Sequence, residues 1–131
     1  MLGKFNLRQE IQKRLRKRRE DTARQQFSRA AGEVSALTSR LTRLHELLGI
    51  HTQALREMLA EGGDAMNFRL YNQCISAVRQ DIAENNRQLR SARQSLYQSQ
   101  CELTEAIRQR RRFDVLNGKE NTPMQEMLTG N

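Results

Sequence analysis

The side chains able to do chemistry are few and scattered. His45 and His51 stand six residues apart, off the three- or four-residue spacing that sets two metal ligands on one helical face. Cys74 and Cys101, placed on a single helix, would lie about 40 Å apart, beyond the reach of a disulfide. They read as free thiols of a reducing cytosol. No GxxxxGK loop is present to cradle phosphates, and no strand pattern exists to carry one. Serines, carboxylates and histidines show no nucleophile, base and orienting group in sequence logic, so no catalytic, cofactor-binding or metal-binding residue is assigned.

What the sequence does concentrate is positive charge. Lys13, Arg14, Arg16, Lys17, Arg18, Arg19 and Arg24 form one run, and Arg108, Arg110, Arg111 and Arg112 form a second. With a formal net charge of +8 over 131 residues, the chain asks for an acidic partner, whether a protein surface, nucleic acid or anionic lipid.

The elements that must carry these runs are helices. Hydrophobic residues make up 37% of the chain, with one Pro and no Trp, which is too thin for a large central core and poor in the β-branched and aromatic residues that favour sheet. From Phe27 the apolar residues recur as Phe27, Ala30, Val34, Leu37, Leu41, Leu44, Leu48, His51, Leu55 and Met58, alternating steps of three and four. That is the seam of a coiled coil. Gly62 and Gly63 interrupt it and Asp64 offers an N-cap. The pattern then restarts at Phe68, Tyr71, Ile75, Val78, Ile82, Asn85, Leu89, Ala92, Leu96, Ser99, Leu103 and Ala106.

Two equal arms joined by a tight turn fold back on each other. The expected fold is therefore all-α, a two-helix antiparallel coiled-coil hairpin over residues 1–117, with helix 1 over about 8–61, a turn at 62–64 and helix 2 over about 65–116. Residues 118–131, entered through Asn117-Gly118 and containing Pro123, read as a flexible tail. Pivoting on Gly63 sets Leu48 against Val78, Leu44 against Ile82, Leu41 against Asn85, Leu37 against Leu89 and Val34 against Ala92. The seam from Ala23 to Met58 would span about 54 Å. His51 and Asn85 are polar residues within it, a placement that fixes register.

Beyond Ala23 the seam positions become Glu20, Arg16 and Lys13 on one arm and Arg110 on the other. Apolar pairing should stop there, with Arg16 facing Arg110, a like-charge contact that favours splaying or capture of an acidic partner. Both basic runs meet at this open end as a collar.

Other partners are less well served. The start has positive charge without the apolar run of a secretory signal, and no stretch approaches a membrane span. The first helical segment offers Leu2, Phe5, Leu7, Ile11 and Leu15 beside its cations, an alternative surface for a membrane. Base readout by a basic region calls on residues such as Asn, and none occurs between Arg8 and Phe27. Few aromatics interleave with the cations, so stacking on single strands is also poorly supported.

The order of parts resembles the FliJ family, the stalk protein of flagellar and related type III export ATPases, over roughly residues 5 to 116. The resemblance rests on the Phe5/Leu7 start, the Arg-rich first turns, the glycine turn, the stretch Tyr71-Asn72-Gln73-Cys74-Ile75 followed by Val78 and Ile82, and the RQRRRFDVL run that ends at Leu116. It implies a two-helix rod inserted in a hexameric export ATPase, which would meet Arg14, Arg16, Arg18, Arg19, Arg108, Arg110, Arg111 and Arg112 of the collar. It implies contact with the export-gate membrane protein through Cys74, Val78, Asp81 and Asn85, association with export chaperones, and a cytoplasmic location at the inner face of the inner membrane. The seam reading buries Val78 and Asn85, which leaves Cys74 and Asp81 as the exposed contacts of that set. The family continues past this point as a charged helix with an acidic ending, whereas Gly118 and Pro123 interrupt it here. Two readings from other classes stand beside this one: a basic coiled coil that binds nucleic acid, and a dedicated export chaperone for one secreted substrate.

Overall fold

A computed structural model describes residues 2–116 of the protein. Two helices account for nearly all of them, α1 (Leu2–Ala60) and α2 (Ala65–Leu116), and there is no strand among the described residues. The fold is an all-α helical hairpin. Helix α1 begins at Leu2, ahead of the start near residue 8 expected from sequence, because nothing in the first turns except Gly3 opposes helix and a terminal glycine is a small obstacle. The expected tail, residues 118–131, lies outside the described residues.

The connection is built from two standard terminators in succession. Gly62 takes a left-handed conformation with φ of 76°, open to glycine at no steric cost. The Gly63 amide donates to the Met58 carbonyl at 2.9 Å and the Gly62 amide to Leu59 at 3.3 Å, the paired bonds of a Schellman cap. A Cβ at Gly63 would collide with the Met58 side chain, so the second glycine is required by close approach. The Asp64 carboxylate then accepts from the Asn67 amide at 2.8 Å and starts α2 as its N-cap.

The chain forms two compact units. In the unit Ala30–Ser95, every seam residue named from the sequence is buried or half-buried except Phe68. Ile75, Val78, Leu89 and Ala92 of α2 are buried, while Val34, Leu37, Leu41, Leu44 and Leu48 of α1 are half-buried. A pair of helices can cover only one stripe of each other, so half-burial is the ordinary state of a large seam residue here. Phe68, in the first turn of α2 after the connection, stays exposed.

Asn85 is the most deeply buried side chain of this unit, 2% exposed. Its Nδ2 donates to the Leu37 carbonyl at 3.0 Å, the same carbonyl that accepts the Leu41 amide within the helix, so the bond falls at the expected Leu41 layer. Its Oδ1 has no partner among the described residues. A half-satisfied buried amide costs stability and favours one register. Asn85→Leu should therefore raise the unfolding midpoint, by about 1 kcal/mol in stability, while broadening the distribution of states. Thermal unfolding together with disulfide trapping between paired seam positions would check both effects; a stabilised variant with a single trapped register would show that Asn85 has no part in alignment.

Among the described residues, the other unit comprises those up to Arg29 and from Leu96 to Leu116. Ala23 is buried, and Phe27, Leu103, Ala106, Ile107 and Phe113 are half-buried. Packing thus continues on α2 beyond Ala106, where the sequence reading expected apolar pairing to end.

Candidate partner-binding site

In the second unit the eight arginines set against the ATPase divide into two populations. Arg14, Arg18, Arg19, Arg108, Arg111 and Arg112 are exposed and form no ion pair among the described residues. Arg16 and Arg110 are turned inward and half-buried. The expected repulsion between Arg16 and Arg110 is not what the structure contains.

The reason is Glu20. Its side chain occupies a seam position and the residue is 5% exposed. It accepts from Arg24 Nη2 at 2.7 Å, one helical turn along α1, and is ion-paired with Nε of Arg110 on α2. Arg110 also reaches Asp114 at 3.5 Å through Nη1. Arg16, freed from facing another guanidinium, lies over the Phe113 ring with its Cζ 4.8 Å from the centroid, a cation–π arrangement. A like-charge layer has become a clasp in which one buried carboxylate holds a guanidinium from each helix.

Burial alone would push the Glu20 carboxyl up. The hydrogen bonds from Arg24 and Arg110 and their charges outweigh that and hold it below the ordinary value. A carboxylate with a depressed folded pKa contributes stability that is complete above the unfolded value, about 4.3, and lost as pH falls through the lower folded value. Glu20→Gln should remove that part of the acid limb and cost about 2 kcal/mol near neutrality, the scale of hydrogen bonds to a charged group. Chemical denaturation of parent and variant at neutral pH and at successively lower pH tests this: the difference should shrink on acidification, and a constant difference would place the linkage elsewhere.

Beside the clasp lies a cleft of about 430 Å³ bounded by Lys13, Lys17 and Asp21 of α1 and by Phe113 and Asp114 of α2. Its cations and the exposed arginines give this unit an anion-accepting surface. The sequence reading missed Glu20 as the organising residue, although Arg24 four residues later is the local signal of a paired carboxylate. It also missed Phe113 as the platform for Arg16.

The four residues set against an export gate lie in the other unit. Cys74 and Asp81 are exposed. Val78 and Asn85 are buried, because both are seam positions, and they cannot present side chains to a partner. Leu70, 53% exposed, shares the outer face of α2 with Cys74 and Asp81 by helical spacing.

No group of three or more His, Cys, Asp or Glu able to hold a metal occurs among the described residues. No described helix is long and apolar enough to cross a membrane. The family model described as flagellar FliJ protein matches residues 13–130, through Gly118 and Pro123 and so across the stretch that the sequence resemblance had set apart. No curated protein and no solved structure matches the chain.

Proposed function

The chain belongs to the FliJ family and has a role in flagellar export, and from that premise we propose that it is the stalk of the export ATPase, seated in the ATPase ring by its basic collar and coupling the ring to the membrane export gate. The family is a non-catalytic export component, and the proposed action is mechanical coupling and recognition, without bond chemistry. The observation that carries the reading is the exposed set Arg14, Arg18, Arg19, Arg108, Arg111 and Arg112, drawn from both helices and left unpaired among the described residues, while Glu20 holds the two helices together beneath them.

Such a surface suits an acidic ring or cleft, with complementary potentials steering the approach. The gate contact is proposed on the outer face of α2 that carries Leu70, Cys74 and Asp81, in the unit that contains the turn. The working location is the cytoplasmic face of the inner membrane, and delivery of chaperone-bound cargo is the associated role.

Capture of the tagged protein from its native cell, with partners identified by mass spectrometry, tests this reading. Recovery of the export ATPase and the gate protein supports it. A stable complex with one secreted protein and no ATPase would favour a dedicated chaperone instead, and recovery of nucleic acid in a salt-sensitive complex would favour the nucleic-acid reading.

A further inference from the structure

The cleft beside the clasp holds more positive charge than its own carboxylates neutralise. Lys13, Arg16 and Lys17 line it from α1, about one helical turn from end to end, and none of the three makes an ion pair among the described residues. Of the carboxylates around it, Glu20 is taken up by Arg24 and Arg110, and Asp114 reaches Arg110. Asp21 is the one unpaired anion of the lining among the described residues, and it is exposed.

Arg16 differs from the two lysines in being held. Its guanidinium lies over the Phe113 ring, and its Nε is buried with no hydrogen-bond acceptor among the described residues. A buried donor without an acceptor costs free energy, more so on a charged group, and an anion brought into the cleft would relieve it. At about 430 Å³ the cleft has far more room than a small inorganic oxyanion fills, and the half-buried Phe113 gives it an apolar wall.

We propose that this cleft is the anchor point for a glutamate side chain of the partner protein, whose stem runs along Phe113 and whose carboxylate meets Arg16 and the ammonium groups of Lys13 and Lys17. Carboxylate and guanidinium match as planar, two-point partners, and fixing Arg16 on its ring in advance lowers the ordering cost of the contact. The exposed arginines of the collar then act on the approach of the partner, while a contact enclosed in a cleft acts on its dissociation. The inference deepens the stalk reading and rests on it only for which partner carries the glutamate.

The test has two arms. In the first, the nitrogen-15-labelled full chain is titrated with a blocked triglutamate peptide, a blocked triglutamine peptide and inorganic phosphate, and the Arg16 Nε–H resonance is followed. Triglutamate shifts it saturably, triglutamine leaves it in place, and phosphate acts only at much higher concentration. The variant Lys13→Gln, Lys17→Gln, which alters two exposed and unpaired side chains and should keep its helix content, binds triglutamate about tenfold more weakly. No shift with triglutamate, or equal affinity in the variant, overturns the proposal, and an equal response to phosphate overturns it in favour of a small-anion site.

In the second arm, association and dissociation rates are measured against purified export ATPase. The lysine variant dissociates about tenfold faster at a nearly unchanged association rate, and Asp21→Asn, which removes the unpaired carboxylate, dissociates more slowly than the parent. Parental dissociation by both variants from an ATPase that the parent binds overturns the anchor and leaves the stalk reading standing. An ATPase that the parent does not bind defeats the stalk reading, and the peptide arm then decides the cleft by itself.

Discussion

Leu89→Asp should unfold the unit formed by Ala30–Ser95. Leu89 is among the most completely buried apolar residues of the chain, and a carboxylate there must either stay charged without a partner or take up a proton. Either route costs about 4 kcal/mol or more, against a total stability for ordinary domains of about 5–15 kcal/mol. Leu41→Asp should cost less, because Leu41 is only half-buried and the new carboxylate would stand at the layer where the Asn85 amide can donate to it. Arg87→Ala serves as the control. Its partner Glu84 is also exposed, so the change should stay within about 0.5 kcal/mol. Circular dichroism melts of the three variants give the order directly, and a Leu89→Asp protein as stable as the Arg87→Ala control would refute the seam.

The second large effect belongs to the collar. Arg14, Arg18, Arg19, Arg111 and Arg112 are exposed and make no internal ion pair among the described residues, so replacing all five with Ala removes charge without removing packing. At about 0.5–1 kcal/mol for each exposed pair with an acidic partner, their combined loss should weaken association about a hundredfold or more. Helix content should be kept, and the unfolding midpoint should stay level or rise as mutual repulsion is relieved. Arg16 and Arg110 are left in place for a structural reason. Substituting Arg110 would leave Glu20 without its cross-helix partner, and a loss of binding would then report unfolding as well as recognition.

The seam was legible because its signal is local and repeated. Steps of three and four from Phe27 to Met58, two glycines and a capping aspartate are each visible without knowing what lies opposite. The turn was readable for the same reason, since Gly62, Gly63 and Asp64 act within a few residues of themselves. The collar was legible as charge but not as geometry. A charged residue at a seam position looks like the end of packing when one helix is read alone. Glu20 is instead neutralised from both helices, by Arg24 one turn away and by Arg110 far along the sequence. Its own-helix partner could be anticipated from spacing; the second required the offset of the two helices, which a rule of strictly opposed layers sets one turn away. Phe113 escaped notice because an aromatic serving as a platform for a guanidinium carries no periodic signature of its own.

The most direct test of the central claim is a titration of the unmodified protein into purified export ATPase, run at low and at high salt beside a parallel titration into duplex DNA. Binding to the ATPase should saturate and weaken steeply as salt shortens the Debye length from about 10 Å at 0.1 M ionic strength to about 3 Å at 1 M, with DNA binding much weaker at the same ionic strength. No binding to the ATPase, or tighter binding to DNA than to the ATPase, would contradict it.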